Sequence, residues 1–238
     1  MPAGESKDPA RVRAMFGAIA RRYDLLNRTL SLGQDLGWRR RAAAEAAVDA
    51  AGTVADLCGG TGDLAVELAR VLPRSLVVCA DFAHPMLLRA QAKLARRGLA
   101  SRCALLEADA LRLPFSDGTV AAVTVAFGVR NFSDLDAGLR EILRVLRPGG
   151  RLVVLEFSRP TSRFLSAVYS LYLRRVLPRV GDGVSGRQGP YRYLATTIGE
   201  FPEPPILAGI LRESGFAAVG WLPLTGGIVC IHTAIKGD

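Results

Sequence analysis

"DLCGGTGDLAVELA", residues 56–69, joins a short apolar run to a glycine-rich turn and then to an amphipathic run ending near Leu72. Strand, tight loop and helix follow one another there. Gly60, Gly62 and Ala65 fit the spacing G-x-G-x-x-G/A, and an acidic residue, Asp81, follows nineteen positions after Gly62. Small residues let a ligand approach the backbone, and the first turn of a helix presents free N–H groups and positive potential. The loop therefore suits either the pyrophosphate of a dinucleotide or the amino-acid portion of another adenosine-containing molecule. The loop alone does not choose between them.

Working outward, the pattern repeats. "SLVVCAD" (75–81) is a second strand, followed by the helix "HPMLLRAQAKLARRG" (84–98) with Pro85 near its start and Gly98 as its stop. "RCALLEAD" (102–109) and "TVAAVTVAFG" (119–128) read as the third and fourth strands. A helix from a Ser133 N-cap to Pro148-Gly149-Gly150 leads to the fifth strand, "RLVVLEFS" (151–158). Such alternation predicts an α/β, doubly wound, mostly parallel sheet with helices on both faces and ligands beyond the carboxyl ends of its strands. The chain closes with "FAAVGWLPLTGG" and "IVCIHTAIKG", two apolar runs joined at Gly226-Gly227 that predict a C-terminal antiparallel hairpin. A dinucleotide fold would repeat its βαβ half instead.

Upstream of the loop, residues 9–31 carry an apolar helical pattern (Val12, Met15, Phe16, Ile19, Tyr23, Leu26), and an Ala-rich helix is expected over about 37–50. These predict an N-terminal helical cap, residues 1–50, on a domain of residues 51–238 with a helical insertion at about 160–215, all one structural unit. The longest apolar runs are too short to span a bilayer, and the N-terminus lacks the apolar core of a signal peptide. Cys58, Cys79, Cys103 and Cys230 are far apart and histidines number two, so no metal cluster is expected, and the thiols suit a reduced, cytoplasmic setting. The net charge is +9, yet only Lys7, Lys93 and Lys236 among 31 basic residues are lysines. That arginine skew follows genome composition as readily as function, and the arginines are dispersed, so nucleic acid is not an expected partner. An anionic membrane surface fits better.

The third strand narrows the choice. "EADALRLPFSDGTV" places Asp109 at its carboxyl end, where it could accept a bond from an adenine amino group, while Asp81 is placed for ribose hydroxyls; taken singly, either carboxylate reads as well as a strand-end turn or helix cap. With "LRPGGRL" before the fifth strand, the set resembles the class I S-adenosylmethionine-dependent methyltransferases. "YDLLNRTLSLGQDLGW" (23–38), "RVLRPGGRLVVLEFS" (144–158), "FGVRNFSD" (127–134), "VLPRVG" (176–181), "YRYL" (191–194) and "LTGGIVCIH" (224–232) resemble the ubiquinone/menaquinone biosynthesis C-methyltransferase family over nearly the whole chain. The resemblance implies a class I, Rossmann-like sheet and S-adenosylmethionine as cofactor. It also implies methylation of a ring carbon of a prenylated hydroquinone such as demethylmenaquinol. It carries the cofactor positions to Thr61, Asp81, Asp109 and Ala110, beside Gly60 and Gly62 of the loop. The family's frequent serine after the fourth strand falls on Ala126, without a hydroxyl. Leu26 and Asp35 stand where the family usually has Met and His, and "DGVSGRQGP" (182–190) lacks the acidic, serine-rich character common there. These departures keep alive a related methyltransferase with another small acceptor. A cofactor-binding protein without turnover is the alternative from another class.

Methyl transfer to a ring carbon needs an electron-rich ring, hence an ionised hydroxyl. "FGVRN" follows the fourth strand on the ligand side, so Arg130 is expected either to stabilise a developing phenolate or to form an ion pair with Asp134 or Asp136; Asn131 could orient the ring oxygen. His84, His232 and Glu156 are the candidate proton acceptors, against the alternatives of a residue at a helix start for His84, a satisfied core histidine for His232 and an arginine's ion-pair partner for Glu156. Tyr23 and Asn27 are expected to cover the cofactor and exclude water, Tyr23 being equally readable as a core residue of an amphipathic helix. The helix 163–177, with Phe164, Leu165, Val168, Tyr169, Leu171 and Tyr172, either packs on the sheet or lines a tunnel for a prenyl tail and rests on the membrane. The expected location is the cytoplasm, peripheral on the inner face of the membrane; the sequence leaves a homodimer open.

Overall fold

The computed structural model describes residues 7–47, 51–177 and 190–238. Seven strands form one sheet: β1 (Thr53–Leu57), β2 (Leu76–Asp81), β3 (Cys103–Glu107), β4 (Val120–Ala126), β5 (Leu146–Phe157), β6 (Phe216–Leu224) and β7 (Val229–Lys236). Their order is β3-β2-β1-β4-β5-β7-β6. β1 pairs in parallel with both β2 and β4, β4 with β5, and only β7 runs antiparallel to its neighbours β5 and β6. The strand order reverses between β1 and β4, so the crevice opens there. As the apolar run of β4 requires of a strand covered on both faces, all seven of its residues are buried.

Alternation along β1 feeds the two faces: Val54 packs with Trp38, Ala42, Leu64, Leu68 and Leu94, while Ala55 packs with Leu139, Ile142, Leu207 and Leu211. The first face is covered by α3 (Gln34–Ala46), α4 (Asp63–Val71) and α5 (His84–Arg96). The second is covered by α6 (Leu135–Val145) and α9 (Pro204–Glu213). Thus α3, expected in a cap, is a sheet-packing helix. Its alanines Ala42, Ala43 and Ala46 have no exposed surface, and small side chains bring it close to the strands. What lies over the crevice is α1 (Pro9–Ile19), capped by Asp8, and α2 (Tyr23–Leu30). Ile19 and Ala20 pack on Met86 of α5.

Two boundaries differ from expectation. The N-cap of α6 is Asp134, not Ser133: its extended backbone puts the carboxylate 2.9 Å from the Ala137 N–H. Carboxylates are favoured there by the helix dipole. The helix then stops at Val145 and Leu146 already pairs with Val120, so Pro148-Gly149-Gly150 form an irregularity inside β5 rather than its lead-in. Beyond the sheet, α7 (Arg163–Leu171) runs into a π-helical turn, Tyr172–Val176, and α8 (Pro190–Glu200) follows. The "DGVSGRQGP" departure, apart from its final Pro190, and most of "VLPRVG" lie outside the described residues, as do residues 1–6 and 48–50. The β6–β7 connection is a 3₁₀ turn at Thr225–Gly227 with Gly226 and Gly227 at φ 64° and 92°.

Candidate active site

The loop after β1 is strained where it meets the crevice: Cys58 holds φ 51° without being a glycine, and Gly60 and Gly62 hold φ 57° and 80°. The glycines divide the work. A Cβ on Gly59 would stand 2.5 Å from Cys79 Sγ, so that glycine lets the loop lie on β2. A Cβ on Gly62 would stand 3.1 Å from Ala90 Cβ, so that one lets α4 approach α5. Gly60 alone borders the open cleft, where an added Cβ would fill the space 3.9 Å from the Tyr23 ring. Its N–H donates to Asp81 Oδ2 at 2.9 Å, and the Ala83 N–H donates to Oδ1 at 2.8 Å. Burial outweighs those bonds and pushes the Asp81 carboxyl up to about 6.

Around this cleft the fold gathers Gly60, Asp81, Asp109, Ala110, Ala126 and Asn131. Asp109 lies two residues beyond β3 in a tight turn, its Oδ1 accepting from the Leu111 N–H at 3.0 Å, with the side chain otherwise exposed. Thr61 and Gly62 are not brought in. The Thr61 hydroxyl is buried and donates to Asp24 Oδ1 at 2.5 Å while accepting from Lys93 Nζ at 3.1 Å, which ties the loop to α2 and α5. The residues present fit an adenosyl group: a cradle that a single Cβ would occupy, and a carboxylate for hydroxyl donors. Under the loop, Asp56 is fully buried; burial pushes its carboxyl up to about 7, although Oδ1 accepts from the Thr124 hydroxyl at 2.9 Å.

Phe16, Tyr23 and Phe127 wall this cleft and also a second, larger chamber of about 370 Å³. The chamber is apolar for most of its length, between α1, α2, α3, α7 with its π-helical turn, and α8. Its inner end is floored by Phe127 and Phe157, ring centroids 4.6 Å apart. Arg130 enters here from a 3₁₀ turn, Val129–Asn131. Its Nη1 donates to Glu156 Oε1 at 2.7 Å and to the Phe127 carbonyl at 2.6 Å, its Cζ lies 5.5 Å from the Phe157 centroid, and its buried Nε has no hydrogen-bond partner among the described residues. The expected alternative partners Asp134 and Asp136 are thus not used: Asp134 caps α6, and Asp136 faces Arg140 at 3.9 Å. Asn131, the next residue, turns to the cofactor cleft, with Tyr193 Oη donating to its Oδ1 at 3.1 Å.

The histidines stand elsewhere. His232 is buried in the hairpin, with Nε2 3.1 Å from the Pro204 carbonyl, and burial depresses its pKa. His84 is exposed, 2.9 Å from Glu107. Neither lines the cleft or the chamber. Sequence reasoning missed two polar groups on the chamber wall, the Tyr169 hydroxyl and Arg39, both carrying a buried atom without a hydrogen-bond partner among the described residues. Burial raises the Tyr169 phenol well above its ordinary range, keeping it a donor. Asp35, where the family's usual residue is His, explains itself. It accepts from Arg28 and, at 3.0 Å, from the Ser31 hydroxyl, and lies 3.8 Å from Arg39 Nε.

Comparison with solved structures shows the same fold without close sequence kinship. The [4+2]-cyclase SpnF superposes with a TM-score of 0.69 at 18% identity over 98% of both chains. An O-methyltransferase family protein from Burkholderia thailandensis gives 0.66 at 19%, covering 91% of this chain and 60% of that one. A cyclase on this fold shows that architecture does not fix the reaction. Sequence comparison does more. A demethylmenaquinone methyltransferase from Thermus thermophilus is 51% identical over 218 residues, 92% of this chain and 98% of its own. One from Deinococcus radiodurans is 50% identical over 216 residues, 90% and 89% respectively. With the family's sequence model matching residues 4–236, the chain belongs to the ubiE/COQ5 methyltransferase family and is an S-adenosylmethionine-dependent enzyme.

Proposed function

We propose that the acceptor is demethylmenaquinol, methylated on a ring carbon next to a hydroxyl. The observation that carries this reading is Arg130: a buried guanidinium, its Nε unpartnered among the described residues, at the inner end of a long apolar chamber. A small head that becomes anionic on a long apolar tail matches that arrangement. When bound, the cofactor would supply an electrophilic methyl on a positive sulfur; the ring carbon that takes it gives up its hydrogen as a proton to solvent, and the chain's residues bind and orient the two reactants. Gly60, Asp81 and the Asp109–Ala110 turn hold the adenosine, with Ala126 leaving room beside it. Phe16, Tyr23 and Phe127 divide the two cavities and exclude water from the junction.

A phenol with pKa near 10 is ionised about once in a thousand molecules at neutral pH, and making the phenolate dominant takes roughly 4 kcal/mol. Arg130 Nε offers a charge-assisted bond to that oxygen, while Glu156 and the Phe127 carbonyl hold the guanidinium in place. Tyr169 is a second donor on the same wall. The tail would leave along α7, and the chamber's rim continues outward in exposed apolar side chains: Leu32 at 87%, Phe164 at 80%, with Val168 and Leu171 about half exposed. Among the described residues no helix is long and apolar enough to cross a membrane. The rim supports an enzyme that works from the cytoplasm on the inner membrane face, where its substrate resides. Incubating membrane extract with labelled S-adenosylmethionine and identifying the labelled lipid tests the reading. Label in menaquinol supports it, whereas label in a benzoquinol or a non-lipid acceptor, or no transfer, overturns it.

A further inference from the structure

α3 delivers Arg39 into the interior, where the residue is only 5% exposed. Its Cζ lies 5.1 Å from the ring centroid of Phe127, one of the three residues that wall both cavities. Its Nε is 3.8 Å from Asp35 Oδ2, too long for a hydrogen bond, and has no other partner among the described residues. Asp35 is already engaged by Arg28 and Ser31. The positive charge of Arg39 also acts on Asp56 and Asp63, which flank the glycine loop, and on Tyr23. Arg39 thus lines the chamber and not the cleft, but it does so against Phe127, which borders both.

A buried permanent charge is costly unless an anion meets it with hydrogen bonds, and Asp35, which Arg39 shares with Arg28 and Ser31, gives its Nε a charge at 3.8 Å but no bond. The proposed quinol is neutral except while its hydroxyl is ionised, and Arg130 attends to that oxygen. Of the two reactants, the cofactor alone carries a permanent carboxylate, at the end of an amino-acid arm joined to the ribose on the side away from adenine. With adenosine held at Asp81 and Asp109, the arm would reach Arg39 only on the side of the cleft that Tyr23 and Phe127 share with the chamber. We propose that Arg39 is a cofactor-binding residue, taking the carboxylate of the amino-acid arm. The inference rests on the cofactor reading above.

The test compares two ligands that share the nucleoside and the thioether: S-adenosylhomocysteine, with the carboxylate, and 5′-methylthioadenosine, without it. Calorimetric titration of Arg39→Met is expected to show affinity for S-adenosylhomocysteine lower by about tenfold to a hundredfold, the range of a lost charged hydrogen bond. Affinity for methylthioadenosine stays within about twofold, which also reports an intact pocket. Arg39→Lys, which keeps the charge and loses the fork, is expected to fall between; it carries the same comparison if the methionine variant does not fold. Equal losses for both ligands, or no loss for either, overturn the assignment. If the unaltered protein binds neither ligand, the cofactor reading itself has failed.

Discussion

Arg130 and Glu156 meet at 2.7 Å with side chains 6% and 1% exposed, joining the turn after β4 to the carboxyl end of β5. Breaking a buried pair from one side strands a charge and costs about 3–5 kcal/mol, whereas replacing both partners by apolar groups can be neutral. Glu156→Gln is therefore expected to lose about 3–5 kcal/mol in denaturant titration. The double variant Arg130→Leu/Glu156→Leu should recover most of it while turnover stays down at least about a hundredfold, as expected for losing much of the phenolate stabilisation. Near-normal turnover in Arg130→Leu, with cofactor affinity unchanged, counts against the assigned role.

Asp81 gives cofactor binding a pH signature. Its carboxyl, ordinarily near 3.8, is pushed up to about 6, chiefly by burial. Hydroxyl donors bind the ionised form better, so affinity is full above that value and falls as pH drops through it, by at most about tenfold per pH unit. Calorimetry from pH 5 to 8 should show that fall for the unaltered protein and a weaker, flat profile for Asp81→Asn. Parallel profiles remove Asp81 from the binding step.

Asp56 acts on stability instead. Burial raises its carboxyl to about 7, with the nearby Asp81 charge adding to the rise. Because the folded-state value lies above the unfolded one, this group's contribution is fully present below about pH 4 and is lost as pH rises through 7. Asp56→Asn, which can still accept from the Thr124 hydroxyl, should flatten the decline in stability between pH 4 and 7 in chemical denaturation. A decline as steep as in the unaltered protein shows that other groups set it.

The same residues show what a sequence reveals. The sheet was legible because strands buried on both faces must be predominantly apolar, as 120–126 are apart from Thr124, and because Asp81 ends such a strand. Side-chain direction was not. Thr61 belongs to the loop motif, yet its hydroxyl turns toward Asp24, 37 residues earlier, a contact no local spacing encodes. Ser133 and Asp134 are adjacent caps of equal promise until the backbone selects one. Arg39 stands in a run where Arg40 and Arg41 are mostly exposed, so only the packing of α3 on the sheet singles it out. Tyr169 lies within an apolar helical stripe, and its hydroxyl becomes informative only once the chamber behind it exists.

The chamber rim makes the last prediction. Phe164 and Leu171 expose 80% and 52% of their surface on α7, next to Val168, which lines the chamber itself. Burying a large apolar side chain contributes about 1.5–3 kcal/mol, so two such residues in a bilayer shift partitioning by tenfold or more. With anionic lipids, whose charge favours a chain of net +9, the unaltered protein should float with vesicles and Phe164→Ser/Leu171→Ser should largely remain in solution. The variant should also show a raised KM for vesicle-borne quinol but an unchanged KM for a short-tailed soluble analogue, because neither position lines the chamber. Equal KM increases for both substrates would mean that α7 shapes the chamber rather than docks it. Flotation that survives the double substitution would place the membrane contact on another surface.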